Sequence, residues 1–359
     1  MDKIMNELTK HIASDNIRAG IENGGTLLDL ARGWLKQGNP VVAIELLKSA
    51  IGSVEAERDK VLRAEIIKSL GRAWMMQSDW DNSDFHYLEA QRLFLEMKHY
   101  KGASECARNR ANMQFQKGNY DQSESLCEQA LDWASEAADY ELRATILNTL
   151  GAIKSATGDF RESIKIFKLC LADFRSTGNL IRQGYVLLNI GLTQTELSEY
   201  VEAVDSLEQS LAIALDSKDL HLVEICYQNI SKSHLARKEI HLAKSVIDTA
   251  RKILPGLNSK ALETELNLID CRILRAMGDI ESAQGLLDCT YRMAVENKQQ
   301  ALQADLLYEQ GLLEKDRGHT ELAIAKLDAA VSQYRQIGME KGFKEAVDLL
   351  SRLKGSVNV

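Results

Sequence analysis

Residues 140–179 read YELRATILNTLGAIKSATGDFRESIKIFKLCLADFRSTGN. In this stretch the small residue Gly151 is followed by Ser163, then by the large Phe167, then by the small Cys170. Stepping by 40 residues from Gly151 gives Ala31, Gly71, Ala111, Gly191, Ser231, Cys271 and Gly311, all small. The Ser163 register reads Ala43, Ser83, Ser123, Ala203, Ala243, Ala283 and Ala323, and the Cys170 register reads Ala50, Ala90, Ala130, Ser210, Ala250, Thr290 and Ala330. The Phe167 register is large and apolar: Leu47, Tyr87, Leu207, Ile247, Leu287 and Leu327, with Cys127 its one small member. A fixed period of this length with no insertion marks a repeat array. Small residues at fixed points let two helix axes approach, and the large residue fills the space they leave.

A turn divides each unit. Its marker position reads Gly38, Ser78, Gly118, Gly158, Ser198, Lys238, Gly278 and Gly318. Glycine there fits a helix C-cap that needs positive φ. Two residues on, Trp80, Tyr120, Phe160, Tyr200, Ile240 and Ile280 open a second helix, and Pro40 sits at an acceptable first-turn position. The other proline in the 359 residues is Pro255; proline is the residue most hostile to helix interiors, so two in this length fit an all-α chain.

Leu147, Leu150-Gly151, Gly158, Phe160, Phe167 and Leu171, with Trp34 and Trp74 at a position where tyrosine is usual, resemble the tetratricopeptide repeat over about residues 24 to 340. The departure is the 40-residue period in place of 34, which implies longer helices and is similar to kinesin light chain, the spindle scaffold LGN, the MalT sensor region and the Rap regulators. The resemblance implies a right-handed α-solenoid of eight helix-turn-helix repeats. Pro255 falls where the family often ends a helix. The expected organisation is an N-terminal capping helix in residues 1–23, eight repeats in residues 24–340, and a C-terminal capping helix and tail in residues 341–359. Such caps cover the core that terminal repeats expose, and the array is expected to form one domain.

Composition narrows the chemistry. A net charge of −8 argues against general nucleic-acid binding. No run of about 18 apolar residues is present, so no membrane span is expected. The first twenty residues carry Asp2, Lys3, Glu7, Lys10 and His11 and so lack the apolar core of a signal peptide. Six cysteines without a CxxC pair fit a reducing cytoplasm. Cys127, Cys170 and Cys271 occupy core registers, where a free thiol behaves as a small hydrophobe.

No phosphate loop, GxSxG, HExxH or dinucleotide fingerprint occurs. His234 and His241 could approach each other across a turn, but nothing completes a metal-ligand set. The chain is therefore expected to be no enzyme and to need no cofactor or metal.

The resemblance places the second, fifth, ninth and twelfth residues of each first helix on a concave groove. In the early units this gives Leu28, Arg32, Leu35, Glu65, Lys68, Arg72, Met75, Glu105, Arg108, Asn112 and Phe115. Arg32, Lys68, Arg72 and Arg108 form a basic line followed by Asn112, which resembles the carboxylate clamp of co-chaperones, although Leu28 stands where that clamp has its first lysine. Arginine can grip a carboxylate in bidentate fashion. The competing reading is that these bases balance Glu65 and Glu105. The middle groove offers Asn148, Tyr185, Leu188, Asn189 and Leu192, amides and apolar groups suited to a peptide or to ordinary helix packing. Lys232, Arg272, Arg275 and Lys315 mix with Glu265 and Asp305 in the later units. Arg110, Asp270 and Gln310 stand where other units have Leu or Ile, so they either tilt the register or join polar contacts.

The expected function is a protein-interaction scaffold that binds a protein segment or peptide in this groove, with an acidic segment or C-terminal carboxylate as its anchor. The alternative is a regulatory receptor whose groove ligand switches the solenoid's shape. As exposed side chains, Lys68 and Arg72 are expected to be replaceable at about 0.5 kcal/mol or less each.

Overall fold

The computed structural model describes residues 23–253 and 260–357, all helix and turn, with no strand among them. The helix expected in residues 1–23 and the reading of Pro255 lie outside the described residues. No helix among those described is long and apolar enough to cross a membrane.

The chain divides after Leu180 into two compact units. The first contains α1 (Gly24–Lys36), α2 (Pro40–Ile51), α3 (Val54–Arg58), α4 (Lys60–Met76), α5 (Trp80–Glu96), α6 (Tyr100–Gln116), α7 (Tyr120–Glu136), α8 (Tyr140–Ala156) and α9 (Phe160–Ser176). The second contains α10 (Leu180–Glu196), α11 (Tyr200–Ser217), α12 (Leu220–Ala236), α13 (Ile240–Ile253), α14 (Lys260–Met277), α15 (Ile280–Glu296), α16 (Gln300–Asp316), α17 (Thr320–Ile337) and α18 (Glu340–Val357). From α4 to α9 each helix has 17 residues and each turn three. Two such helix-and-turn blocks make the 40-residue period, and each unit is a stack of helical hairpins.

The turns are more uniform than their residues. Ser78, Ser198 and Lys238 take the same positive φ as the glycines at that position. So do Lys98, Ala138, Gly178, Lys218, Lys298 and Gly338 in the second turn of the repeat, which carries no glycine marker of its own in most units. At one such turn the Lys98 amide donates to Leu95 O (3.0 Å) and the His99 amide to Phe94 O (2.8 Å). These bonds satisfy two carbonyls that the ending helix would otherwise leave unpaired, and they offset the cost, about 1 kcal/mol, of holding a side-chain-bearing residue left-handed.

The small-and-large registers meet directly inside each hairpin. A methyl group built on Gly151 would lie 2.6 Å from the Phe167 ring, one on Gly71 would lie 2.9 Å from Tyr87, and one on Gly191 would lie 2.7 Å from Leu207. The Ser163 register adds a hydrogen bond across the same contact. Ser83, Ser123 and Ser163 donate to the carbonyls of Gly71, Ala111 and Gly151 at 2.7–2.8 Å. In the unit where the residues are exchanged, Ser231 donates to Ala243 O instead, at 3.1 Å.

The residues that break the apolar pattern join polar contacts. Arg110 donates to Asp84 (2.8 Å) and Gln91 (3.3 Å) of α5. Asp270 accepts from Lys244 (3.0 Å) and Arg251 (2.7 Å) of α13. The offsets are the same 26 and 19 residues with the charges reversed, so one slot between a second helix and the following first helix is filled twice by opposite ion sets. Gln310 donates to Asp288 at 3.3 Å.

Five cysteines are buried and Cys289 is exposed. Burial pushes the thiols of Cys106, Cys127 and Cys271 up to about 12 and that of Cys226 up to about 11. Since the thiolate is the reactive species, iodoacetamide at pH 8 is expected to modify Cys289 alone in the native protein and all six cysteines in denaturant. Mass spectrometry showing a second, equally fast native site would contradict this packing.

Candidate functional site

In the first unit the groove positions recur along α1, α4 and α6 and face one another between neighbouring helices. Arg32 donates to Glu65, Lys68 donates to Glu65 (2.7 Å), and Lys68 reaches on to Glu105 (2.5 Å). The result is a ladder of alternating charge that joins three helices. Lys68 is only 15% exposed and also lies 5.4 Å from the Phe94 ring centre. Desolvation works against its charge, but Glu105 and Glu65 together outweigh it and hold its pKa above the usual lysine value. The next rung is neutral, with Thr149 Oγ1 donating to Asn112 Oδ1 at 3.1 Å.

Beside this ladder lies a pocket of about 690 Å³. Arg32 and Lys36 from α1, Lys68 and Arg72 from α4 and Arg108 from α6 line it, against two acids, Asp29 and Glu105. Arg72 is exposed and makes no hydrogen bond or ion pair with a described residue, whereas Arg108 donates to Asn109 at 2.9 Å. Tyr87 of α5 also lines the pocket. Its hydroxyl turns toward Asn109 yet completes no hydrogen bond among the described residues. Burial, with Cys106 beside it, pushes this phenol's pKa well up, and Arg108 and Arg72 pull the other way.

The basic line predicted from sequence therefore comes together around one cavity, with its members in different circumstances. Arg32 and Lys68 are engaged by Glu65 and Glu105, while Arg72 is open to solvent. Lys68 is no surface residue, and the expectation that it is cheaply replaced does not hold. Leu28 and Leu35, read as groove residues, are 4% and 2% exposed and belong to the core. Asn112 and Asn148 are half-buried. Sequence reasoning missed Tyr87 and Lys36. Tyr87 sits in the large apolar register and reads as core; its one distinguishing signal is a hydroxyl where other units have Leu, Ile, Phe or Cys.

The second unit contains Tyr185 and Asn189. Tyr185 donates to Asp219 at 2.9 Å, Asn189 is half-buried, and Leu188 is a core residue. Further along, Arg272 donates to Glu309 (2.7 Å), Arg275 to Asp316 (3.0 Å) and Tyr334 to Asp305 (2.6 Å). Burial, then Arg272 nearby, lowers the Lys232 pKa, and burial raises that of Glu265. His234 Nδ1 lies 2.8 Å from Glu239 rather than meeting His241, and no cluster of three metal-ligating side chains occurs among the described residues.

Residues 104–176 and 186–220 match family models described as tetratricopeptide repeat. Over 229 residues the chain is 23% identical to the 43 kDa receptor-associated protein of the synapse from Tetronarce californica, covering 61% of this chain. The chain thus spans about 55% of the length of that relative. In fold it is similar to a signal-transduction ATPase with numerous domains from Pyrococcus horikoshii that carries a tetratricopeptide repeat sensor. That likeness has a TM-score of 0.68 and 16% identity, over 79% of this chain and 44% of the other. It is also similar to the apo form of RapI, with a TM-score of 0.65 and 14% identity, over 77% of this chain and 99% of the other.

Proposed function

From the premise that this chain is a tetratricopeptide-repeat protein, we propose that it is a non-enzymatic scaffold that holds an acidic segment or C-terminal carboxylate of another protein in the basic pocket of its first unit. The observation that carries this reading is the pocket of about 690 Å³ with five cationic side chains and two acidic ones on its wall. Arg72 is the contact residue, because its guanidinium has no ion-pair partner among the described residues and its planar donors match a carboxylate. Arg108 is its neighbour across the pocket. The Arg32–Glu65–Lys68–Glu105 ladder fixes the wall, so little side-chain entropy remains to be lost on binding.

A fluorescent Glu-rich peptide of about a dozen residues with a free C-terminus, alongside its C-terminal amide, tests this reading. Wild type is expected to bind the free acid, and Arg72→Ala to bind it about tenfold or more weakly, the value of one charged hydrogen-bond pair. Affinity should also fall with salt. Equal affinity of the two proteins overturns the assignment.

A further inference from the structure

A second device lies in the other unit and does not depend on the pocket just described. In a solenoid each repeat touches its neighbours. Yet Lys341 Nζ lies 2.7 and 2.8 Å from the two carboxylate oxygens of Glu196, a residue 145 positions earlier. Glu196 is the last residue of α10 and Lys341 the second of α18, the first and last of the first-type helices in this unit. Four repeats separate these two helices, and the pair joins them end to end.

The two charges are misplaced for their own helices and well placed for each other's. A glutamate at a helix C-terminus and a lysine near an N-terminus each oppose the helix dipole. Brought together, Lys341 sits at the negative end of α10 and Glu196 at the positive end of α18. Both side chains remain largely exposed, at 70% and 40%. Exposed pairs of this kind are weak and salt-screened, which suits a contact that must open.

We propose that Glu196 and Lys341 form an ionic clasp that holds the first helix and the C-terminal helix of the second unit together and sets the opening of its groove, where Tyr185, Lys232 and Glu265 occupy groove positions. The clasp is closed at low ionic strength. It opens when salt screens it or either charge is reversed.

Spin labels at Ser198→Cys and Lys344→Cys, in a full-length Cys289→Ser background, report the distance by electron–electron resonance; the remaining cysteines are buried and stay unlabelled. The closed clasp gives one short, narrow distance distribution. Lys341→Glu and Glu196→Lys should each lengthen or broaden it, and the combined swap should bring it back nearer to wild type than either single change. Raising salt from about 0.1 M to about 1 M, which shortens the screening length from about 10 Å to about 3 Å, should lengthen the wild-type distance and should not lengthen that of the single reversals, where salt screens a repulsion. Circular dichroism on each variant confirms retained helicity. Distances that ignore both reversals, or a swap no shorter than the single changes, overturn the proposal.

Discussion

Replacing Phe167 with alanine is expected to destabilise the first unit by about 3–5 kcal/mol, the range for emptying a buried aromatic site. The ring is 1% exposed and packs on the bare backbone of Gly151, which has no side chain to fill the space. Gly151→Ala should also destabilise the native protein, because its methyl would stand 2.6 Å from a ring carbon. In the Phe167→Ala background the same change adds a methyl to vacated space and should be neutral or stabilising, a sign reversal that only direct contact produces. Urea denaturation followed by circular dichroism measures all three variants. A loss below about 1 kcal/mol for Phe167→Ala would mean that the hairpin does not depend on this contact.

The second large effect concerns charge. Lys68→Ala is expected to cost about 2 kcal/mol, less than the full price of breaking a buried ion pair because Glu65 and Glu105 keep 22% and 26% exposure. Glu65 retains Arg32 as a partner, while Glu105 loses the lysine that pairs with it directly. Adding Glu105→Gln to Lys68→Ala should therefore recover part of the loss. Arg72→Ala, at an exposed site, should change stability by about 0.5 kcal/mol or less, so a binding defect in that variant cannot be ascribed to unfolding.

The pH dependence has a definite sign. The folded-state pKa of Lys68 lies above its ordinary value of 10.5. The stability it contributes is thus fully present below that pH and is lost as pH rises through the folded-state pKa. Wild type should lose this part of its alkaline stability, and Lys68→Ala should show a flatter curve above about pH 10. Parallel curves for the two proteins would show that Lys68 does not carry the charge coupling assigned to it.

The candidate site was legible in part. Arg32, Lys68, Arg72 and Arg108 follow from groove spacing, and the structure gathers them around one cavity. The competing reading, that these bases balance Glu65 and Glu105, holds for Arg32 and Lys68, and what spacing could not reveal is which of the four cations those acids take. Lys68 and Glu105 are 37 residues apart, an offset that is no multiple of the repeat. Tyr87 stayed hidden for a different reason: it is fully buried and serves the core, and only the fold sets it beside the pocket.

The sequence by itself determined the period, the hairpin and the close contact of Gly151 with Phe167, because these depend on backbone helix geometry and residue volume, which recur with the repeat. It also marked Arg110 and Asp270 as exceptions. Only the tertiary structure decided which partners they take, which of the groove cations remain open to a ligand, and that lysines at second turns accept left-handed backbone. It alone showed Lys341 meeting Glu196. The physical reason is that an ion pair depends on the distance between two side-chain tips, set by the tilt of one helix on the next. Small tilts accumulate over four repeats into a contact that no local pattern encodes.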